Sequence, residues 1–359
     1  MALEGVEASP TIDDVARHAD VSVATVSRAL RGLPNVAPST RERVLRAADE
    51  LQYVADPTAS RLAGGRTQTV GLVVPMLGQW YYARVFTGVE GVIGAAGYDV
   101  LPFTMSGPGG ITRFIETLPF RRRVDGLIVV DAPLDEGQFE AVVASGVPVV
   151  TMGLFVEGVD GLSVDDVAAA RLAVGHLVGL GHERIALIGG IEDDPFCFSV
   201  PVDRYRGYQE GLAAAGIAFD PELAVPGNFS LEGGAEAMHR LLSLDDPPTA
   251  VFAGSDEMAI GAMQVARDAG LRVPEQISIV GIDDHDVSEY VGLSTVRQNV
   301  ISQGERAAQL LLERLRSGPT ERAERGEELD EAPVHELHPT RLVVRRTTGP
   351  PPQGHGYRW

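Results

Sequence analysis

Residues 11–30 read TIDDVARHADVSVATVSRAL, a stretch that predicts two short helices joined by a tight turn. Thr11 can cap the first helix, with Asp14 three positions on as its acidic partner in the manner of a capping box. Ser22 can cap a second helix that runs to about residue 30. This pattern is typical of the helix-turn-helix, whose second helix enters the major groove of DNA. An ordinary helical hairpin at a domain edge fits the same residues.

The second predicted helix turns Val26, Ala29 and Leu30 inward and leaves small and polar side chains outside. The outside positions are Val23, Ala24, Thr25, Ser27 and Arg28. A third helix is predicted at 38–51, with Pro38 in its first turn. Its predicted inward residues are Val44, Leu45, Ala48 and Leu51. Three helices of this size make a compact headpiece with a small core.

Residues 57–63 (PTASRLA) form a short helical candidate that ends before two glycines. Such a segment is too short to hold a helix in isolation, because helix nucleation is costly. We therefore expect it to be disordered until something packs on it.

The composition excludes several classes of protein. The chain has no apolar run long enough to cross a membrane, and residues 1–10 lack the basic and apolar regions of a secretory signal. Cys197 is the only cysteine, which excludes an intramolecular disulfide and a cysteine-based metal site. We expect a cytoplasmic protein with no membrane association.

The net charge of −20 is unevenly distributed along the chain. Residues 1–66 carry 8 Arg and 9 acidic residues, so nearly all of the excess negative charge lies in the rest. A nearly neutral headpiece can approach DNA if its arginines share one face, while an acidic body discourages loose binding.

From residue 69 onward, apolar strands alternate with amphipathic helices. Strands are predicted at 69–75, 98–103, 124–130, 147–153, 184–190, 249–255, 277–283 and 340–346. Helices are predicted at 83–96, 135–145, 167–180, 202–215, 231–242, 257–269 and 301–317. Continuous apolar strands with intervening helices indicate parallel sheets covered on both faces. Two such half-domains fit the length, with a crossing near Asp165 and Asp166.

These residues carry a family likeness. The opening stretch and STRERVLRAADELQYVADPTASRLAGGRTQTVGLVVP after it resemble the lactose-repressor/galactose-repressor (LacI/GalR) family of bacterial transcription regulators. The likeness continues through VGHLVGLGHERIALIGG (174–190), DRYRGYQEGL (203–212), PTAVFAGSDEMAIGAM (248–263) and VPEQISIVGIDDHDVSEYVGLSTVRQ (273–298). It covers nearly the whole chain in order.

The resemblance implies an α/β protein with a three-helix helix-turn-helix headpiece at 10–56, a hinge helix and linker at 57–66, and a two-lobed core at 67–347. The core is similar to periplasmic binding proteins, with two parallel sheets flanked by helices. The expected first subdomain comprises 67–165 and 295–320, and the second comprises 166–294 and 332–347. The remainder, 348–359, is expected to be a disordered tail.

The resemblance also implies which residues contact DNA. These are Thr11, Ser22, Val23, Ala24, Thr25, Ser27, Arg28, Ala59 and Leu62. Arg28 can pair with guanine, and the small Val23 and Ala24 can sit against a thymine methyl group. Leu62 matches the hinge leucine that wedges into the minor groove; packing of Leu62 on the core is the alternative. Arg31 stands where the family usually has Asn, so contacts there need not transfer.

In a two-lobed α/β fold, ligands bind beyond the carboxyl ends of the strands. The candidate effector-binding residues are Trp80, Tyr81, Tyr82, Asp165, Arg204, Phe229, Asp256 and Asp283. The resemblance implies Arg204, Phe229 and Asp256, and the others follow the ends of predicted strands. Arg204 is expected to fix the ligand with Asp256 facing it, a pairing that suits a sugar. Asp165 and Asp283 fit helix caps or interlobe contacts equally well. Residues 78–82 (GQWYY) depart from the family turn, so the ligand of the best-known members cannot be inherited.

The sequence therefore predicts a homodimeric repressor, with a tetramer as the alternative, that leaves a palindromic operator when a sugar-like effector binds. A co-repressor-dependent regulator of the same fold and a solute-binding receptor remain alternatives. No nucleophile motif, nucleotide-binding loop or cofactor site is present, and we expect no enzyme activity. The acidic cluster at 283–286 is read as caps and hydrogen bonds, with no metal.

Overall fold

The computed structural model describes residues 10–30, 32–53, 67–105, 109–132, 134–190, 199–316 and 332–352. The chain divides into two compact units, residues 1–68 and 69–359. Outside the described residues lie the predicted hinge helix with Ala59 and Leu62, as well as Arg31, Cys197 and the acidic stretch 320–331. Within the described part, no helix is long and apolar enough to cross a membrane.

The first unit contains the three predicted helices, α1 (Ile12–His18), α2 (Val23–Leu30) and α3 (Pro38–Glu50). They enclose a core of small apolar side chains: Val15, Ala16, Ala19, Val26, Ala29, Val44, Ala47 and Ala48. The prediction for Leu45 was wrong, because its side chain is 48% exposed and Ala47 is buried in its place. Residues 44, 47, 48 and 51 follow helical spacing along one face, and position 45 lies one step off it.

The second unit begins with a lobe built on a six-stranded sheet in which every pair of neighbouring strands is parallel. Its strands are β1 (Thr69–Val74), β2 (Asp99–Thr104), β3 (Gly126–Val130), β4 (Val149–Met152), β5 (Asp160–Val164) and β11 (His335–His338), in the order β11-β5-β4-β3-β1-β2. Its helices are α4 (Trp80–Ala95), α5 (Gly110–Thr117), α6 (Glu136–Val143) and α12 (Val300–Arg316). Apolar side chains fill both faces of the sheet.

The second lobe repeats this plan. Its strands are β6 (Ile185–Gly189), β7 (Ala224–Pro226), β8 (Ala250–Ala253), β9 (Ser278–Asp283), β10 (Ser294–Arg297) and β12 (Arg341–Val343), in the order β12-β10-β9-β8-β6-β7. Only β12 is antiparallel to its neighbour. Its helices are α7 (Asp166–Gly179), α8 (Ser199–Ala214), α9 (Leu231–Leu242), α10 (Asp256–Asp268) and α11 (Ser288–Val291).

Within the described ranges, the chain crosses between the lobes at three points. The first lies between β5 and α7, at the predicted Asp165–Asp166 position. The expected subdomain boundaries at 295 and 332 differ from the structure: β10 pairs with β9 in the second lobe, and β11 pairs with β5 in the first. The sequence HELH of β11 has no apolar alternation, which is why pattern alone did not identify it.

Residues 348–352, which belong to the tail expected to be disordered, are ordered. His176 lies 2.9 Å from the Thr348 hydroxyl, and the buried His182 lies 2.9 Å from the Gly349 carbonyl. Ser278 also donates to that carbonyl at 3.0 Å. The prediction was wrong for 348–352 because glycine and proline content says nothing about partners supplied by the second lobe.

Candidate functional site

The caps that frame the helix-turn-helix form as predicted. The Asp14 amide donates to the Thr11 hydroxyl at 3.3 Å, and the Thr11 amide donates back to the Asp14 carboxylate at 2.8 Å. Ser22 accepts from the Thr25 amide at 3.2 Å. These local bonds satisfy amide groups that a helix start leaves without partners, so the two helices begin where the sequence places them.

The outer face of α2 is available for contact. Val23 is 39% exposed, and Ala24 and Arg28 are exposed as well. Arg28 makes no hydrogen bond or ion pair within the described residues. Thr25 and Ser27 are half-buried, and the Thr25 hydroxyl shares a 2.9 Å hydrogen bond with Ser22. The centre of this face is therefore formed by two small side chains beside one uncommitted guanidinium group.

Arg41 is a headpiece residue that sequence reasoning missed. Its guanidinium donates to the carbonyls of Ala29 at 3.0 Å and Leu33 at 2.6 Å. It therefore ties α3 to the end of α2 and holds the outer face in position. Arg41 is one of several charged residues in α3, and the sequence alone does not show that it bonds to these carbonyl groups.

A cavity of about 300 Å³ lies between the two lobes of the second unit. It opens beyond the carboxyl ends of the strands, where ligands of two-lobed α/β folds bind. Its lining residues are Met76, Gln79, Tyr81, Tyr82, Asp131, Gly153, Ser163, Val164, Asp166, Val200, Pro201, Arg204, Asn228, Phe229, Ser255, Glu257, Asp283, Gln298 and Gln303. Of the predicted effector residues, Tyr81, Tyr82, Arg204, Phe229 and Asp283 lie in this lining.

Arg204 sits on α8 with only 6% of its surface exposed. Its Nε donates to Asp166 at 2.7 Å, and a terminal nitrogen donates to the Gly254 carbonyl. Burial alone lowers the pKa of Arg204, but Asp166 and Asp283 outweigh it and raise the pKa above its ordinary value. The side chain is therefore a fixed cation at the cavity wall.

Asp256 does not face Arg204, and its predicted place in the ligand site was wrong. It is fully buried and accepts hydrogen bonds from the Ser288 hydroxyl at 2.6 Å, the Thr295 hydroxyl at 2.6 Å and the His285 amide at 2.9 Å. Helix α10 begins at Asp256, so this side chain points back towards the sheet. The neighbouring Ser255 and Glu257 line the cavity instead.

The sequence left open whether Asp165 and Asp283 contact ligand or only cap structure, and the two residues differ in this respect. Asp165 is exposed and caps α7 by accepting from the Ala168 amide at 2.8 Å, and it does not line the cavity. Asp283 is buried in the lining, where it accepts from Gln298 at 2.5 Å. Burial raises the pKa of Asp283. The neighbour of the predicted Asp165, Asp166, is the residue that reaches Arg204.

Trp80 also lies outside the cavity lining, contrary to prediction. Its indole N–H donates to Asp286 at 3.1 Å, and its ring centre lies 4.7 Å from that of His285. Trp80 and Tyr81 are successive residues at the start of α4, so they point about 100° apart. Tyr81 therefore reaches the cavity, and Trp80 reaches the loop between β9 and α11.

Two carboxylates of the cavity were not singled out from the sequence, although Asp131 directly follows β3. Burial, followed by the nearby Asp166, raises the pKa of Asp131 to about 7 against the opposing effect of Arg204. Burial, together with the smaller effects of Asp283 and Glu232, raises the pKa of Glu257 to about 7. Perturbed carboxyl groups in a cleft are typical of functional sites.

The acidic cluster at 283–286 is engaged in protein contacts. Asp284 pairs with Arg297 and with Arg345, the latter at 2.6 Å. Asp286 pairs with Arg84. Within the described ranges, no group of three or more His, Cys, Asp or Glu side chains is arranged to hold a metal ion.

Two family models match the chain. The model described as "Bacterial regulatory proteins, lacI family" matches residues 11–56, and a "Periplasmic binding protein-like domain" matches 174–348. The transcriptional regulator CelR of Thermobifida fusca is 34% identical over 94% of this chain and 98% of its own length. Catabolite control protein A of Priestia megaterium is 34% identical over 84% of this chain and 91% of its own length.

Solved structures show the same fold. A lac repressor dimer bound to operator and the anti-inducer ONPF superposes with a TM-score of 0.78 at 29% identity, covering 95% of this chain and 100% of that one. A CelR–cellobiose complex gives a TM-score of 0.68 at 33% identity, covering 94% and 99%. Both likenesses extend over the headpiece and the two-lobed core.

Proposed function

This chain belongs to the lacI family of bacterial regulatory proteins, and from that premise we propose that it is a transcriptional repressor that a sugar-like effector releases from its operator. The observation that carries the proposal is the interlobe cavity, in which the buried Arg204–Asp166 pair lies among aromatic and amide side chains. Charged groups in such a pair form directional hydrogen bonds with hydroxyl groups, and aromatic rings cover the C–H faces of sugar rings.

Two relatives support this assignment. CelR has been solved in complex with cellobiose, and the lac repressor has been solved as a dimer bound to operator. We therefore expect this chain to bind a palindromic operator as a homodimer, because the two-fold symmetry of a dimer matches that of a palindrome. Since DNA is its target, we expect it to act in the cytoplasm, and we expect no catalysis.

On the DNA side, α2 is proposed as the recognition helix. Val23 and Ala24 are small enough to pack against thymine methyl groups, and Arg28 can donate both arms of its fork to guanine. Thr11, Ser22, Thr25 and Ser27 are proposed to contact the DNA at the edges of this surface. Ala59 and Leu62 are proposed to act in the hinge, with Leu62 entering the minor groove and bending the duplex.

The coupling mechanism follows from the position of the cavity. Tyr81 and Asp131 belong to the first lobe, and Arg204 and Phe229 belong to the second, so a ligand in the cavity contacts both lobes at once. A ligand that binds one arrangement of the lobes more tightly shifts the population towards that arrangement. We propose that the ligand-bound arrangement disfavours the paired hinge segments and so weakens operator binding.

The test begins with fragments recovered by genome-wide binding of the full-length protein. Affinity for a recovered palindrome is measured by fluorescence anisotropy, with and without each member of a sugar panel that includes cellobiose. We expect tight binding to the palindrome, weak binding to a scrambled duplex, and weakening by at least one neutral sugar. Operator affinity that no sugar changes, or that a sugar strengthens, would contradict the proposed release.

Arg204→Met tests whether the cavity is the effector site. This variant should retain operator binding, because α2 is unaltered, but should lose the response to the active sugar. If it responds as the unaltered protein does, the cavity is not the effector site.

A further inference from the structure

The interlobe cavity has an excess of negative charge. Among the described lining residues, four carry carboxylates, and Arg204 is the only one that carries a positive charge. The carboxylates are those of Asp131, Asp166, Glu257 and Asp283. A ligand that carries its own negative charge enters this cavity against repulsion that a low-dielectric interior strengthens.

Arg204 offsets only part of this repulsion, because its charge is already paired with Asp166. Its Nε donates to Asp166 at 2.7 Å, and a terminal nitrogen donates to the Gly254 carbonyl. The side chains of Arg204 and Asp166 are only 8% and 11% exposed, so the pair is fixed by its surroundings. A phosphate that paired with Arg204 would compete with the buried Asp166 carboxylate for the same cation.

Asp131 and Glu257 are differently placed, because neither carboxylate has a hydrogen bond or ion pair within the described residues. Ionised carboxylates accept hydrogen bonds and donate none. Burial, the largest effect, and neighbouring carboxylates raise the pKa of each group to about 7. Hydroxyl groups of a ligand that donate to these carboxylates stabilise their ionised form. Asp131 belongs to the first lobe and Glu257 to the second, so one ligand with hydroxyl groups at both ends would satisfy both lobes.

The Asp131 carboxylate occupies space that a glycine leaves open. A Cβ built on Gly153 would lie 1.8 Å from Oδ1 of Asp131, and Gly153 has a φ of +87°. Any side chain at 153 would occupy the place of the carboxylate, and the backbone conformation there favours glycine. The fold thus brings this acceptor to the cavity wall.

We infer that the cavity accepts an uncharged, hydroxyl-bearing ligand and rejects phosphorylated or carboxylated ones, with Asp131 and Glu257 as the residues that set this selectivity. The inference rests on the proposed function and narrows its effector class. Repulsion of a charged analogue is an effective route to specificity, because it discriminates between compounds that share every other group.

The test compares neutral sugars with their phosphorylated counterparts by calorimetry on the full chain. The pairs are glucose with glucose 6-phosphate, ribose with ribose 5-phosphate, and cellobiose with cellobiose phosphorylated at O6. For each neutral sugar that binds, we expect an affinity at least about tenfold higher than that of its phosphorylated counterpart. A phosphorylated member that binds as tightly as its neutral partner overturns this inference and leaves the proposed sugar response intact.

Asp131→Asn and Glu257→Gln preserve the shape of the side chain and remove its charge. Each should therefore lower the ratio of neutral-sugar affinity to phosphorylated-sugar affinity by about fivefold or more. Asp165→Asn is the control, because this exposed residue removes the same charge from outside the cavity and asparagine also caps helices. Circular dichroism verifies that each variant folds. An unchanged preference in both cavity variants overturns their assigned role. Failure of every sugar in the panel to bind the unaltered protein would overturn the proposed effector class together with this inference.

Discussion

Trp80 on the first lobe donates its indole N–H to the Asp286 carboxylate on the second lobe over 3.1 Å. Arg84 pairs with the same carboxylate, and its guanidinium lies 5.9 Å from the centre of the Trp80 ring. The His285 ring packs on Trp80 from the other side of the interlobe boundary. We call these four residues the interlobe clasp, because they join the lobes beside the cavity and outside its lining.

The clasp predicts that Asp286→Ala favours separation of the lobes. The Arg84 and Asp286 side chains are 32% and 52% exposed, so their ion pair and the Trp80 hydrogen bond together stabilise closure by about 1 kcal/mol. Ligand dissociation should therefore accelerate about fivefold, as stopped-flow displacement would measure. Asp245→Ala removes another exposed aspartate of the same lobe and should leave the rate unchanged. Equal ligand dissociation rates for the two variants would show that the interlobe clasp does not stabilise the closed lobes.

The Arg204–Asp166 pair predicts a stability cost that depends on removing one partner. Arg204→Met leaves the buried Asp166 without its cation and should lower the free energy of unfolding by about 3 kcal/mol. Arg204→Met combined with Asp166→Asn should recover part of that loss, since no charge is then left alone. Urea denaturation of the three proteins measures both effects. A double variant less stable than Arg204→Met would contradict the account.

Asp256 and Glu257 are adjacent, yet they should respond to substitution in opposite ways. Asp256→Ala removes the acceptor for three donors and should destabilise the fold by about 3 kcal/mol. Glu257→Gln should leave stability almost unchanged and alter ligand binding. Thermal denaturation and calorimetry on both variants separate the two roles. If the Asp256→Ala protein were stable but bound ligand poorly, Asp256 would have to be counted among the ligand-binding residues.

His182 predicts a loss of stability in acid. Burial is the largest effect and lowers the pKa of His182, opposed by the Gly349 carbonyl, while His176 lowers it further. Because the folded pKa lies below the unfolded value of about 6.5, the unfolded chain takes up protons first. This contribution is complete above that value and is lost as the pH falls through the folded pKa.

His182→Asn should therefore show a shallower fall in stability than the unaltered protein as the pH drops below about 6.5. The groups that face the ring are Thr249, Ser278, Gly349 and His176. His239→Asn is the control, because His239 is exposed on α9. Identical slopes for the unaltered protein and His182→Asn would rule out this contribution.

Features that depend on residues close together in the sequence were predictable, and features that depend on distant partners were not. The Thr11–Asp14 capping box and the Ser22 cap depend on residues three positions apart, so local pattern was sufficient. The long apolar strands were also predictable, because burial on both faces leaves a continuous signature. The short strand at His335–His338 has no such signature and depends on its pairing with β5.

The effector residues show where local reasoning ends. Each lies near the carboxyl end of a strand, which the pattern predicts, but which neighbour faces the cavity depends on how the following helix begins. Asp166 replaced Asp165 in the site, and Glu257 and Ser255 replaced Asp256. These are shifts of a single residue. One position along a helix start rotates a side chain by about 100°, and only the packed lobes decide the outcome.

The central claim is that the cavity and the DNA-binding surface are coupled, and coupling between two binding sites must be reciprocal. The most direct measurement is the affinity of the active sugar for the full-length protein, free and saturated with operator. Operator is expected to weaken sugar binding by the same factor by which the sugar weakens operator binding. Equal sugar affinity in the free and operator-bound protein would contradict it.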